Sequence, residues 1–376
     1  MDVTLAQPLL GGLSAATFMR RHWQKKPLLV RQGLAGVVPP LTRAALFDLA
    51  ARDDVESRLV VQRDGGWSLR QGPLARRTLP PLKQPGWTLL VQGVDLLVPA
   101  AHTLLSRFRF VPDARLDDLM VSYASDGGGV GPHLDSYDVF LVQVYGRRRW
   151  RVGRVADASL IDGVPLKILR RFEPEHEWLL EPGDLLYLPP RWGHDGVALG
   201  ECMTCSVGFR AAPDTELAAE LLARLAAGID PARGRLYRDP AQGATPRPGQ
   251  VPPALQRFAS GAVTQALRDP AMLHAALGEV LTEPKARVWF DAGRPLRPGC
   301  GVRLDARSRM LYDERHVFIN GESFRAAGRD ARLMQRLADE RTLPSAALRT
   351  LGAGAAAQVD EWALAGWLHG VNDDAA

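Results

Sequence analysis

Between Leu28 and about Arg210 the chain is a close succession of short apolar or β-branched runs, each bounded by Gly, Pro or Asp. They are LLV near Leu28, SRLVVQ from Ser57, WTLLVQGV from Trp87, DLMVSYA from Asp118, and then DVFLVQV, RRWRV, DLLYLPP and MTCSVGF. Many short strands at this spacing, broken by turn residues, predict a β-barrel or sandwich. A helix is expected ahead of most of them at LTRAALFDLAAR, with Thr42 as its N-cap.

After Pro213 the texture changes. DTELAAELLARLAAG reads as a helix capped by Asp214 or Thr215, and Gly228 to Pro253 as an extended Pro-, Gly- and Arg-rich connection. A second helical stretch, Pro253 to Leu281, is expected to pack on a neighbour, either the barrel or a second subunit. MLYDERHVFINGESF then reads as a hairpin turning at Asn320-Gly321, followed by helices at ARLMQRLADE and VDEWALAGWLHG. Strands plus helices in so short a segment fit a winged-helix-like module. The expected division is 1–210, 211–290 and 291–376, and the expected class is mainly β with α. The sequence holds no internal repeat.

Composition excludes little. Hydrophobic residues make up 46% and charged residues 24%, as in an ordinary globular protein. No apolar run reaches the roughly 18 residues of a membrane span, so no membrane association is expected. The start lacks a basic region followed by an apolar one and a cleavage site, so no secretory signal is expected. Three cysteines do not make a disulfide framework, which fits a reducing cytoplasm. Cys202 and Cys205 form a C-x-x-C that invites a zinc or thiol-redox reading. In a strand, however, residues three apart point to opposite faces, which favours two buried core thiols. The net charge of +5 is carried largely by arginine. That excess suits an acidic or nucleic-acid-rich neighbourhood, or simply a biased genome.

The chemistry concentrates in GGGVGPHLDSYDVFLVQVYGRRRWRV. His133 and Asp135 are one residue apart, so on a strand both side chains would project from one face. A third ligand must come from a distant strand, and His194 in EPGDLLYLPPRWGHDG fits. Two imidazoles and one carboxylate on a single face leave the opposite positions open. That set suits iron(II), which must also bind a chelating co-substrate and dioxygen. The absence of thiolates argues against structural zinc.

Strand alternation in RRRWRV places Arg147, Arg149 and Arg151 on one face, and Arg148, Trp150 and Val152 on the other. The second face is the apolar one, so Arg148 is expected to point inward. A guanidinium inside a barrel needs a partner, and its planar fork suits a carboxylate. The distal carboxylate of 2-oxoglutarate would serve. An internal salt bridge is one other possibility, and a shifted strand boundary that exposes Arg148 is another.

These residues resemble the JmjC-type cupin hydroxylases, and closely the bacterial ribosomal oxygenases that hydroxylate an arginine of large-subunit ribosomal protein sixteen. The resemblance is carried by FMRRHWQKKPLLV, DDLMVSYASDGGGVGPHLDSYDVF, GRRRWRV, EPGDLLYLPPRWGHDG and CSVGFRA, in the family's order over about residues 18 to 210. It implies a double-stranded β-helix holding iron on His133, Asp135 and His194. It also implies a basic residue for the co-substrate fifteen positions after the first ligand, which is Arg148. Asp118 and Tyr137 occupy the family's positions for recognising the target arginine, with Met120 nearby; in ordinary structural terms they would be a strand-start turn residue and a packing residue. The C-terminal part is similar to the family's helical dimerisation region followed by a winged helix, which implies a homodimer. A ribosomal protein substrate and a cytoplasmic location follow from the same resemblance, with iron(II), 2-oxoglutarate and dioxygen as reactants. The eukaryotic branch modifies histidine on other ribosomal proteins. An N-methyl demethylase would use the same oxidant. A non-catalytic cupin should lack a ligand or the inward arginine, and all four residues are present. A nucleic-acid-binding role for the basic C-terminal module is the reading from a different class.

Overall fold

Antiparallel pairing organises the first of two units into which contacts divide the chain, Met1–Ala211 and Ala212–Ala376. The structure is a computed structural model, and it describes residues 2–63, 65–230, 232 and 234–372. In the first unit the strands are β1 (Leu28–Val30), β2 (Ser57–Arg63), β3 (Gly66–Gln71), β4 (Trp87–Val91), β5 (Leu116–Ala124), β6 (Val139–Arg154), β7 (His176–Leu180), β8 (Leu185–Leu188) and β9 (Trp192–Phe209). They form one sheet in the order β1-β8-β6-β9-β5-β4-β2-β3, with β7 added on β6. This is the double-stranded β-helix expected.

Its two long strands depart from the sequence expectation. DVFLVQV and RRWRV are not separate strands but one, β6. Its start pairs with β8 and its end with β7, while its register against β9 slips between Gln143 and Arg147. A slip absorbs an extra residue as a bulge without ending the strand. β9 likewise begins at Trp192, well before MTCSVGF. Of the helices, α2 (Arg43–Ala50) follows its expected cap, because the Thr42 side chain accepts from the Ala45 N–H. Two more, α1 (Ala15–Arg21) and α3 (Pro99–Ser106), are additions to the reading, as are β3 and β7.

Alternation along the strands creates two faces. The outer one carries Leu59, Leu89, Val121, Tyr123, Phe140, Tyr187 and Val207, which join Phe18, Leu46, Phe47 and Phe108 from the flanking helices and loops in one core. Phe18, Phe140 and Tyr187 meet there with ring centroids 4.9–5.4 Å apart. Fully burying such side chains stabilises the fold by about 1.5–3 kcal/mol each. The inner face is mixed. Val139, Leu141, Trp150, Val152 and Leu186 form a smaller apolar cluster, and polar groups such as Ser122, Gln143 and Thr204 are buried beside it.

The second unit contains α4 (Asp214–Ala227), α5 (Pro253–Ala266), α6 (Pro270–Thr282), β10 (Gly301–Leu304), β11 (Met310–Tyr312), β12 (His316–Ile319), β13 (Glu322–Arg325), α7 (Gly328–Glu340), β14 (Thr342–Leu343), α8 (Ser345–Leu348), α9 (Ala353–Leu364) and β15 (Leu368–Val371). Pro213, not Asp214 or Thr215, is the N-cap of α4, and the Asp214 carboxylate accepts from the Thr215 N–H within the first turn. The stretch read as one helix from Pro253 is broken into α5 and α6 at Pro270, which cannot continue the hydrogen-bond ladder, and Asp269 caps the second half. The Asn320-Gly321 turn is present, with positive φ at both residues and Ile319 opposite Glu322. The end of VDEWALAGWLHG is a strand, not helix: after α9 the chain turns at Gly366, and β15 pairs with β10. Met334, Leu337, Val359 and Trp362 from the helices close over Val302, Leu304, Val317 and Ile319. None of the described helices is long and apolar enough to cross a membrane.

Candidate metal centre

His133, Asp135 and His194 come together, with their ligand atoms all within 4.8 Å of one another. The Asp135 carboxylate stands 3.9 Å from His133 Nε2 and 3.6 Å from His194 Nε2. His194 lies on β9 as expected. His133 and Asp135 do not lie on a strand, which corrects the sequence reading: both are in the loop between β5 and β6. What replaces the strand is an isolated bridge, in which the His133 N–H donates to the His194 carbonyl and the His194 N–H to that of His133, both at 3.0 Å.

Each imidazole is oriented from behind. His133 Nδ1 faces the Gly131 carbonyl at 2.9 Å and His194 Nδ1 the Trp192 carbonyl at 3.1 Å. A carbonyl only accepts, so Nδ1 carries the proton and Nε2 keeps its lone pair on the Asp135 side. Burial, aided by the neighbouring His133, pushes the His194 pKa down to about 4. The imidazole is therefore neutral near pH 7, the form that binds a cation. Next along β9, Asp195 is buried and paired with Arg151 from the outer face of β6.

Arg148 points inward and is only 3% exposed. Its Nη1 donates to the Ser122 hydroxyl (3.3 Å) and its Nη2 to the Gly196 carbonyl (3.1 Å). The guanidinium lies 5.0 Å from the centre of the Trp150 ring, and that ring lies 5.9 Å from the His194 ring. Its Nε has no hydrogen-bond partner among the described residues. Among the described residues no carboxylate lies within ion-pair distance, so the internal salt bridge is absent. Burial pushes its pKa down. A buried cation with only neutral partners costs several kcal/mol, so its site asks for an anion. Glycine at 196 is required here, since a β-carbon would stand 2.8 Å from Arg148 Nε and 2.6 Å from the Trp150 ring. The donor set thus fits a divalent ion, and the orphaned guanidinium beside it fits a carboxylate.

Asp118 and Tyr137 lie close to one another, with Met120 further along β5. Asp118 is 5% exposed and its Oδ2 accepts from the Gly93 N–H at 3.0 Å. Gly208 lies between it and Tyr137: a β-carbon there would be 3.9 Å from both Asp118 Oδ1 and Tyr137 Cε2. Tyr137 is 40% exposed, and packing, with Asp135 and Asp118 nearby, pushes its hydroxyl pKa up. Met120 is half-buried on the same face of β5 as Asp118. Ser122, two residues on, was missed by the sequence reading, although strand alternation from Asp118 through Met120 points to it. Cys202 and Cys205 lie in different clusters with both thiol pKa values pushed up by burial, so neither is a ready thiolate.

A JmjC domain family matches residues 103–217, and a ROXA-like winged helix family matches residues 265–369. The chain is 44% identical over 201 residues to the ribosomal protein uL16 3-hydroxylase of Escherichia coli (strain K12), covering 53% of each protein. It is 42% identical over 198 residues to a probable ribosomal oxygenase of Haemophilus influenzae, covering 51% of this chain and 48% of that protein. The matches thus span about half the length of these curated relatives. The X-ray structure of E. coli ycfD superposes with a TM-score of 0.83 at 30% identity, over 96% of this chain and 98% of that one. The same protein in complex with cobalt and 2-oxoglutarate superposes with a TM-score of 0.78 at 31% identity, over 95% and 98%.

Proposed function

The chain belongs to the JmjC-type ribosomal oxygenase family, and on that premise we propose that it is an iron(II)- and 2-oxoglutarate-dependent protein hydroxylase acting on an arginine of ribosomal protein uL16. The observation that carries this reading is Arg148, a buried cation without a counter-ion among the described residues, separated by the Trp150 ring from His194 of the cluster that His133 and Asp135 complete. Support for the metal and diacid comes from the E. coli relative, whose solved complex contains cobalt and 2-oxoglutarate. Support for the substrate comes from the relative named a uL16 3-hydroxylase. A ribosomal target would place the enzyme's work in the cytoplasm.

Bound iron(II) with 2-oxoglutarate and dioxygen would supply oxidative decarboxylation coupled to oxygen insertion into a C–H bond. The chain's own groups do the rest. His133, Asp135 and His194 hold the ion from one side and leave its other side to reactants. Arg148 takes the distal carboxylate of the diacid, with the Ser122 hydroxyl beside it, and the Trp150 ring walls the pocket from water. Asp118 receives the guanidinium of the target arginine, and Tyr137 packs on its plane. Met120 lines the passage of the aliphatic stem. A single methylene is selected because it is held, which is how positioning contributes to such reactions. In the second unit, α5 buries none of its side chains and exposes Leu255, Phe258 and Val263. We assign this face to a homodimer, which light scattering would test.

The decisive assay incubates the protein with iron(II), 2-oxoglutarate and a uL16 peptide, and follows peptide mass. A gain of one oxygen on an arginine is expected, and His133→Ala should abolish it. Equal co-substrate consumption by both proteins, with no peptide product, would sink the proposal.

A further inference from the structure

Two polar side chains near Asp118 take no part in holding the metal, the diacid or the target side chain: Arg58 on β2, and Gln92 just after β4. Arg58 is directly opposite Leu90, and Leu90 is opposite Ser122. Residues paired this way share a face of the sheet. Ser122 bonds to Arg148, so that face is the inner one. Gln92 lies two residues beyond Leu90, and its N–H still donates to the Glu56 carbonyl at 2.9 Å, which carries the β2–β4 pairing through this point. The next N–H, that of Gly93, is held by Asp118. The charge of Arg58 is also felt at the Tyr137 hydroxyl. Arg58, Gln92, Asp118 and Met120 therefore share the inner face, with Tyr137 beside Asp118.

Both side chains are half-buried, yet Arg58 Nε and Gln92 Oε1 are buried atoms with no hydrogen-bond partner among the described residues. One is an unsatisfied donor and the other an unsatisfied acceptor, and they do not satisfy each other. Such groups are uncommon in native proteins and call for a physical reason. The co-substrate cannot supply it, because a dicarboxylate only accepts and leaves Gln92 Oε1 unanswered. The target guanidinium cannot either, because it only donates and leaves Arg58 Nε unanswered. A main-chain peptide group offers one carbonyl and one N–H.

We infer that Arg58 and Gln92 clamp the backbone of the substrate polypeptide beside the target residue, Arg58 donating to a peptide carbonyl and Gln92 accepting from a peptide N–H. This deepens the protein-hydroxylase reading and rests on it. The clamp fixes the main chain, while Asp118 and Tyr137 receive the side chain. Selection then acts on an arginine within a polypeptide and discriminates against the free amino acid.

The test is anaerobic binding of a fluorescent uL16 peptide to the full chain loaded with iron(II) and 2-oxoglutarate, so that no turnover occurs. Arg58→Met and Gln92→Met keep length and remove the polar atoms. Each should weaken peptide binding about tenfold or more, leave 2-oxoglutarate affinity unchanged, and keep or raise the melting temperature. A scan of peptides with single N-methylated backbone amides adds a second readout. One position should weaken binding to the wild type by a similar factor and have little effect on Gln92→Met. If the wild type binds no peptide, the substrate reading itself fails. The clamp alone is overturned if the wild type binds and both variants bind equally well, if no N-methyl position is silenced by Gln92→Met, or if either variant melts lower.

Discussion

Replacing Arg148 with methionine should make the empty protein more stable and the diacid-bound protein less so. The guanidinium is 3% exposed and its contacts are two neutral oxygens at 3.1 and 3.3 Å. Those bonds stabilise by about 1.5–3 kcal/mol each at best, against a desolvation penalty of several kcal/mol for a buried ion. Methionine fills much of the same volume next to Trp150, and replacing even a compensated buried ion pair by apolar residues of similar volume is often neutral or stabilising by about 1–4 kcal/mol. For a unit of this size that raises the melting temperature by roughly 2–4 °C per kcal/mol. Adding 2-oxoglutarate at about 1,000 times its Kd stabilises the wild type by about 4.1 kcal/mol. The variant should gain nothing at that concentration, having lost its charged partner for the distal carboxylate. Thermal denaturation with a divalent metal present throughout, with and without 2-oxoglutarate, should therefore show the order of the two proteins reversing. A variant that melts lower without the diacid, and still shifts upward with it, would refute the argument that Arg148 is buried for a guest.

Three further outcomes follow from particular contacts. Gly196→Ala drives a β-carbon to 2.8 Å from Arg148 Nε; it should lower 2-oxoglutarate affinity by about tenfold or more, a loss near 1.4 kcal/mol, while calorimetry shows metal binding unchanged. Asp184 is buried, which works against its charge, yet N–H groups of Gln32 and Glu181 and the Arg31 guanidinium hold its pKa below the ordinary 3.8. A depressed carboxylate stabilises fully above its unfolded pKa and loses that contribution as pH falls through the folded one. Asp184→Asn should thus melt lower at pH 7, and the gap to the wild type should begin to narrow as melts are taken below pH 3.8; a gap that stays constant as the pH falls further contradicts the linkage. Gly278 lies within α6, where alanine would ordinarily be favoured by about 1 kcal/mol, but a β-carbon would stand 2.4 Å from the Phe318 ring. Gly278→Ala should destabilise the second unit, and a higher melting temperature would show that the ring simply moves aside.

Much of this was legible in the chain because its signals are local. The alternation of RRRWRV placed Arg148 inward without reference to any neighbour, and Asn320-Gly321 marked a turn that demands positive φ. The boundaries that were misread depend on distant partners. Nothing within DVFLVQVYGRRRWRV says that one strand can serve β8 at its start and β7 at its end. WLHG carries apolar residues compatible with a helix, and only pairing with β10 makes it a strand. His133 and Asp135 were expected on a strand because their spacing suits one; the observed bridge to His194 orients the first of them from across the chain. Ser122, Arg58 and Gln92 are ordinary in sequence, and acquire meaning only when cross-strand register puts them on the face that Arg148 shares.

The paired backbone bonds between His133 and His194 have a consequence for metal exchange. Because the two imidazoles are tied main chain to main chain, removing the ion leaves their separation set by the polypeptide itself. Chelation should strip the cation without loosening the barrel, and a different divalent ion should slot in without refolding. Which ion resides there in a cell would then follow supply more than shape.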